Sequence, residues 1–163
     1  CYSSDITNQI VNEKSDIKLS PELQRNKIIR YNLRIVDGDT IVVNSEKIRL
    51  HGIDTPETKQ KCMNNNGHQY ACGIRATKEL RDIIGKNQIS CKRKDKDRYG
   101  RSVSVCYIKG QDINALLVER GWALAYRKYS KDYVDEENKS KENKLGLWSG
   151  QFMLPWNWRK QNR

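Results

Sequence analysis

The chain has 163 residues, enough for one domain with tails, and 36% of them are hydrophobic. With 31 Lys and Arg against 20 Asp and Glu, its net charge is +11, which favours a polyanionic partner: nucleic acid first, an anionic membrane second. A surface charged only for solubility is the alternative. No apolar run approaches the ~18 residues of a transmembrane helix, so the sequence excludes one.

The N-terminal segment, residues 1–27, is polar and lacks a sustained apolar period, which indicates a flexible linker. Cys1 before such a spacer is typical of a mature bacterial lipoprotein, in which Cys1 would carry the lipid anchor. A start at Cys1 for an unrelated reason is the alternative. We expect the folded domain over residues 28–150 and a Trp-rich extension packing on it over residues 151–163.

A strand over residues 28–36 and a β-hairpin are expected next. Residues 41–43 are a β-branched run, residues 47–50 alternate polar with apolar, and Asn44-Ser45 between them is a turn signal. Polar side chains collect at the strand ends: Asp39, Arg49, Asp54, Thr55 and Glu57. Pairing of the two runs would bring three carboxylates and an arginine together.

This cluster suits phosphate chemistry with a hard cation. Asp39 and Asp54 can bind Ca²⁺ or Mg²⁺ through oxygen, and a carbonyl near Thr55 can join them. Arg49 can hold a phosphate with two parallel hydrogen bonds, which leaves Glu57 to orient or deprotonate a water. Simple turn formation by Asp39 and a surface position for Glu57 are the alternative.

After a polar loop over residues 56–69, apolar periodicity predicts a helix from residue 72 or 73 to 84. Strands are predicted over residues 88–92 and 101–109, a second helix over 113–120 after an Asp112 cap, and a third helix over 132–144. The turn between the two strands is strongly basic and suits a phosphate backbone, with Lys96 and Arg98 as candidate contacts; a solvated turn is the alternative. Tyr126 and Tyr129 could stack on a base or pack at the edge of the domain.

Four of the five cysteines fall into two pairs. Cys62 and Cys72 lie across a polar loop. Cys91 and Cys106 flank the basic hairpin, whose centre would place them opposite each other at about 4.5–5.5 Å, within reach of a disulfide. We predict both disulfides and hence an oxidising compartment. Four free thiols in the cytosol, or a metal site of Cys62, His68 and Cys72, are the alternatives.

Three motifs in order resemble the staphylococcal (thermo)nuclease family. They are Asp37-Gly38-Asp39-Thr40, Arg49-Leu50-x-Gly52-Ile53-Asp54-Thr55-Pro56-Glu57 and Asp97-Arg98-Tyr99-Gly100-Arg101, with matching spacing over roughly residues 28–150. The resemblance implies an α+β fold, a five-stranded OB-type β-barrel with three helices. It also implies cleavage of DNA and RNA with Ca²⁺ on the 5′-oxygen side, leaving 3′-phosphates. By the same match, Arg101 would be the second phosphate-binding arginine and Tyr126 would lie beside the nucleotide.

The combined prediction is a hydrolase, a Ca²⁺-dependent nuclease of low sequence specificity. Its catalytic residues would be Arg49, Glu57 and Arg101, and one Ca²⁺ would be held by Asp39, Asp54 and Thr55. We expect a monomer that favours single-stranded or frayed DNA and RNA and works outside the cytoplasm: secreted, periplasmic or lipid-anchored in the bacterial envelope. A non-catalytic nucleic-acid-binding module on the same barrel and an envelope adhesion or scaffold protein are the rival interpretations.

Overall fold

The computed structural model describes residues 32–163. The predicted linker, Cys1 and the first part of the predicted strand 28–36 therefore lie outside the described residues. The strands are β1 Leu33–Ile35, β2 Thr40–Val43, β3 Glu46–Leu50, β4 Ile53–Asp54, β5 Cys62–Met63, β6 Gln69–Tyr70, β7 Ile89–Lys96, β8 Ser102–Ile108, β9 Gln111–Asp112 and β10 Leu124–Ala125. The helices are α1 Cys72–Ile84, α2 Ile113–Glu119, α3 Val134–Glu142 and α4 Pro155–Gln161, with a 3₁₀ turn at Gly146–Ser149.

The main sheet follows the order β1-β2-β3-β8-β7, and the short β9 pairs with β8. All its pairs are antiparallel except β3 with β8, which is parallel. A parallel neighbour requires a long crossover between its strands, and here the crossover contains the loop after β4 and helix α1. The sheet therefore curls around a core that the helices cover.

The core is formed by the apolar faces of the central strands and of helices α1 and α2. Ala76, Leu80, Ile83 and Ile84 of α1 are buried, which confirms the predicted apolar stripe. Asp112 caps α2 as predicted, accepting a hydrogen bond from the Ala115 amide at 3.0 Å. At one end of the sheet β2 begins where β3 ends, because Thr40 pairs with Arg49.

The predicted α+β, OB-type fold is confirmed, with two differences in its parts. Residues 32–163 contain four helices rather than three, because Pro155 at the first helical position begins α4 inside the Trp-rich end. The predicted loop 56–69 contains strand β5, which pairs with β6. No helix among the described residues has the length and apolar character needed to cross a membrane.

Both predicted disulfides are confirmed. Cys62 bonds Cys72 across the β5–β6 loop, with their Cα atoms 5.6 Å apart. Cys91 bonds Cys106 across the basic hairpin, where the two residues are directly paired and their Cα atoms lie 4.0 Å apart. The thiol and Cys62–His68–Cys72 metal alternatives are thereby excluded, since these sulfurs are paired.

Candidate active site

Arg49 joins the two predicted metal ligands. Thr40 of β2 pairs directly with Arg49 of β3, which places the guanidinium beside Asp39. Arg49 Nη1 lies 3.1 Å from Asp39 Oδ2, and Nη2 lies 3.4 Å from Asp54 Oδ1. The hairpin therefore brings Asp39, Arg49 and Asp54 together, the arrangement that the sequence predicts.

Thr55 fixes the orientation of Asp39. Its amide and its hydroxyl both donate to Asp39 Oδ2 at 2.9 Å, and both residues are buried. Gly38 permits this contact, because a Cβ on it would stand 2.7 Å from the Thr55 hydroxyl oxygen. A charged acceptor held by two donors is preorganised, so Asp39 cannot swing away from Asp54.

The aspartates of the site titrate differently because they are buried next to one another. Burial alone would raise the pKa of Asp39, but Arg49 and the bonds from Thr55 hold it below the ordinary value. Burial raises the pKa of Asp54 to about 6, against the opposing effect of its arginine partners. Burial and the Asp39 charge raise the pKa of Asp37 to about 7. Burial thus opposes the charged forms of Asp37 and Asp54, and a nearby cation opposes that effect.

Glu57 is held at the cluster through its backbone. Its amide donates to the side-chain oxygen of Gln60 at 3.2 Å, and Gln60 is fully buried. Helix α1 approaches so closely at Gly73 that a Cβ there would lie 1.8 Å from the Glu57 carbonyl oxygen. The Glu57 side chain is about a third exposed, so it can face both the cluster and solvent.

The second cation of the site is Arg159, from helix α4 near the C-terminus. Its Nη1 lies 3.0 Å from Asp54 Oδ1 and 2.8 Å from Glu57 Oε1, while Nη2 lies 2.8 Å from Asp54 Oδ2. Nη2 also lies 3.3 Å from the Tyr126 hydroxyl. Arg159 was absent from the predicted site, although it bonds two of the predicted site carboxylates.

Aromatic rings and backbone bonds seat α4 on this side of the domain. Trp156 stacks on Tyr126 with ring centroids 5.3 Å apart, and Tyr129 meets the same tyrosine edge-on at 5.0 Å. The buried Gln60 donates to the Met153 carbonyl at 2.7 Å. Gln60 thus connects the Glu57 loop to the segment that carries Arg159.

The basic hairpin between β7 and β8 is exposed at its tip, including Lys96 and Arg98. Arg101 binds Asp97 within this turn, with its Nε 2.7 Å from Asp97 Oδ2, and its guanidinium lies 5.5 Å from the ring centre of Tyr99. Within residues 32–163, its ion pair is with Asp97 rather than with Asp39, Asp54 or Glu57. The role predicted for Arg101 stays a prediction.

The comparison with known proteins decides the family. Residues 47–150 match the family described as staphylococcal nuclease homologue. The micrococcal nuclease of Shigella flexneri is 35% identical, with 80% of each chain covered. The chain belongs to the staphylococcal nuclease family. An uncharacterised endonuclease of Haemophilus influenzae is 34% identical over 80% of this chain and 72% of its own, and endonuclease YncB of Bacillus subtilis is 33% identical over 76% and 63%.

The family implies a calcium ion, and the donor set fits one in its chemistry. In the described part of the chain, no group of three or more His, Cys, Asp or Glu side chains is placed to hold a metal ion. The predicted set instead combines the carboxylates of Asp39 and Asp54 with the Thr55 carbonyl. Hard oxygen donors of this kind suit Ca²⁺ or Mg²⁺, whose remaining ligands are commonly waters and phosphate oxygens.

Sequence reasoning missed the site residues that arrive from outside the hairpin. Arg159 stands between Trp158 and Lys160 in a basic, aromatic end, where its charge is indistinguishable from surface charge. Gln60 lies in a polar loop and carries no charge to mark it. The three tryptophans within residues 148–158 did signal that this end packs on the domain, but not where.

Proposed function

We propose that this protein is a Ca²⁺-dependent nuclease that hydrolyses phosphodiester bonds in DNA and RNA. The observation that carries the proposal is the contact of Arg49 with both Asp39 and Asp54, while Arg159 joins Asp54 to Glu57. An arginine between hard-cation ligands suits a phosphate better than any neutral substrate. Membership of the staphylococcal nuclease family supports the same reaction.

In this proposal, Asp39, Asp54 and the Thr55 carbonyl hold one Ca²⁺. When bound, the ion polarises the phosphate and compensates its negative charge. Glu57 acts as general base or orients the attacking water, a role for which its partial exposure is suited. Arg49 donates to the phosphate oxygens and stabilises the charge that develops in the transition state.

Arg101 is proposed as the second phosphate-binding arginine, on the strength of its motif. Its present partner is Asp97, and both side chains are partly exposed. An arginine held by one partly exposed carboxylate can exchange it for a phosphate at low cost. Because that exchange is required, we expect Arg101→Ala to impair cleavage less than loss of Arg49.

Substrate contacts in the proposal are mainly to phosphate and sugar. Lys96 and Arg98 are exposed on the basic hairpin. Tyr126 contacts Tyr129 edge-on, and its hydroxyl lies 3.3 Å from Arg159 Nη2. Phosphate contacts carry no sequence information, so cleavage should be unspecific and should weaken steeply with salt. Aromatic stacking favours single-stranded or frayed ends, and cleavage would leave 3′-phosphates.

The two disulfides support an oxidising location, so we propose that the protein works outside the cytoplasm. It would be secreted, periplasmic or attached to the bacterial envelope through a lipid on Cys1. We propose that it acts as a monomer, with its calcium and substrate contacts all supplied by one chain.

The test is plasmid cleavage with Ca²⁺ or with EDTA by the wild type, Glu57→Gln and Glu46→Gln. Glu46 is exposed on β3, so its variant makes the same change of charge outside the site. We expect Glu57→Gln to slow cleavage by about 10²–10⁴ and Glu46→Gln to cleave normally. DNA retardation without cutting by the wild type would replace this proposal with the binding module.

A further inference from the structure

The C-terminal segment, residues 151–163, occupies the site with a cation and an aromatic ring at once. Arg159 bonds both oxygens of Asp54 and one of Glu57, at 2.8–3.0 Å. Trp156 stacks on Tyr126, the tyrosine proposed to lie beside the nucleotide. A cation and a flat ring are also what a bound calcium ion and a base would present at these positions.

We propose that the C-terminal segment is a built-in competitor of metal and substrate: Arg159 contests Asp54 and Glu57 with the divalent cation, and Trp156 covers the stacking face of Tyr126. This rests on the proposed function, since it takes Asp54 as a ligand of the ion. Arg159 then sets the metal affinity of the site, and binding of metal and nucleotide displaces helix α4.

Competition between Arg159 and a divalent cation follows from their shared acceptor, the carboxylate of Asp54. Asp54 is buried, with 1% of its side chain exposed, and both its oxygens accept from Arg159 while Oδ1 also faces Arg49 at 3.4 Å. A cation ligated by Asp54 would have to share these oxygens with the guanidinium charge of Arg159 or take one of them from it. Since the two like charges repel each other, binding of the ion and binding of Arg159 oppose each other.

The segment is attached so that its end can move while its beginning stays. Gln151 exchanges backbone hydrogen bonds with Met63 at 2.8 and 3.0 Å, and Gln60 holds the Met153 carbonyl. Beyond these anchors, α4 is a helix of 7 residues that are exposed or half-buried except for Pro155, which is buried. Helix α4 can therefore leave the site without detaching residues 151–153.

The experiment is calorimetric titration of Ca²⁺, without nucleic acid, into the wild type, Arg159→Gln and Lys160→Gln. Lys160 is exposed on the same helix, so its variant removes one positive charge without removing a bond to the site. We expect Ca²⁺ to bind roughly tenfold more tightly to Arg159→Gln, because a competing bound state has been removed. Lys160→Gln should stay within about twofold of the wild type, since an exposed charge is screened.

Trp156→Leu is a second variant for the same titration, and it changes no charge. It removes the stack on Tyr126 and should also tighten Ca²⁺ binding, by a smaller factor than Arg159→Gln. In the wild type, saturating Ca²⁺ should speed hydrogen exchange of the backbone amides of residues 156–161, whose helical bonds depend on docking.

The outcomes separate this inference from the proposed function. Equal Ca²⁺ affinity in all variants, with normal plasmid cleavage by the wild type, overturns the competition and leaves the nuclease intact. Slower exchange of α4 with Ca²⁺, together with lost cleavage in Arg159→Gln, would instead make Arg159 a phosphate-binding residue. Absence of both Ca²⁺ binding and cleavage in every variant would contradict the two proposals together.

Discussion

Two arginines reach Asp54, but one is bonded to the backbone and the other is not. Arg49 comes from a central strand and donates to main-chain carbonyl oxygens at 3.1–3.4 Å, those of Asp39, Leu50 and Ile53. Arg159 comes from the C-terminal helix, and its partners among the described residues are side-chain oxygens, those of Asp54, Glu57 and Tyr126. The Arg49 side chain is 16% exposed and the Arg159 side chain 30%.

The difference separates a fixed cation from an exchangeable one. Backbone carbonyls cannot turn away, so Arg49 stays in place whatever Asp39 and Asp54 bind. Arg159 keeps its place only while two carboxylates are free to accept from it. We infer that Arg49 is a fixed part of the site, whereas Arg159 can be replaced at the carboxylates by another cation.

Removing the fixed arginine should have the largest effect. Arg49→Ala leaves Asp39 and Asp54 as buried neighbouring carboxylates without their common partner, so we expect unfolding to become easier by about 3–5 kcal/mol. Cleavage should fall on the order of 10² or more, the scale of one preorganised charge donor. Urea denaturation and plasmid digestion measure the two quantities.

Arg34→Ala is the matched control, because Arg34 is exposed on the outer strand β1. It should change stability by less than about 0.5 kcal/mol. If Arg49→Ala cleaved DNA as fast as the Arg34 variant, Arg49 would be only a structural cation. The phosphate would then have to be held by Arg159 or Arg101.

Gly73→Ala should displace Glu57, one of the two carboxylates that accept from the exchangeable arginine, Arg159. The new methyl group would stand 1.8 Å from the Glu57 carbonyl oxygen, so the loop that carries Glu57 must move. We expect a loss of stability of about 1–3 kcal/mol, as in overpacked cores. Cleavage should fall roughly tenfold or more, because small displacements of a catalytic group are costly.

Its control is Ile74→Ala, one position further along α1, where the side chain is largely exposed. That variant should keep both stability and cleavage near those of the wild type. Wild-type stability in Gly73→Ala would mean that the close approach between α1 and Glu57 relaxes freely, and that Glu57 is not positioned by packing.

The part of the site that lies within one hairpin could be predicted from the sequence. Asp39, Arg49 and Asp54 are separated by short stretches whose strand and turn signals are strong, so local pairing places them together. The same reasoning located Cys91 opposite Cys106, because the register of a hairpin follows from its turn. Contacts that depend on short-range strand pairing can therefore be predicted from the local sequence.

Arg159, Trp156 and Gln60 could not be placed in this way. Arg159 is separated from Asp54 by most of the folded domain in sequence, and its position depends on how α4 docks after the sheet and the other helices have formed. Pro155 marks where a helix can begin, but nothing in the local pattern tells which face that helix covers. Tertiary docking of a short terminal helix leaves no periodic signal in so few residues.

The smallest change in stability is expected when a third arginine, Arg101, loses its ion pair with Asp97. Arg101 is held less firmly than Arg49 and Arg159. Asp97 accepts from the backbone amides of Tyr99 and Arg101 through Oδ1 and from Arg101 Nε through Oδ2, at 2.7–3.0 Å. Partial burial opposes the shift, but the bonds and charge of Arg101 hold the pKa of Asp97 below its ordinary value of 3.8. Asp97→Asn keeps the amide contacts and removes the charged one.

A carboxylate whose pKa is lower in the folded chain stabilises the fold at pH values above the unfolded pKa. That contribution disappears as the pH falls through the folded pKa. Asp97→Asn should therefore lower the free energy of unfolding by up to about 1 kcal/mol near pH 7, the scale of a partly exposed ion pair. As the pH falls toward about 2, the difference in stability between the variant and the wild type should shrink.

Urea denaturation at the two pH values measures the difference, with Asp95→Asn as the control in the same hairpin. Asp95 is exposed, and its side chain accepts from the Lys96 amide at 2.7 Å rather than from an arginine. A pH-independent loss in Asp97→Asn would assign the effect to turn geometry and not to charge. Arg101 would then be free to meet a phosphate, as the proposed mechanism requires, since breaking its ion pair with Asp97 would cost little stability.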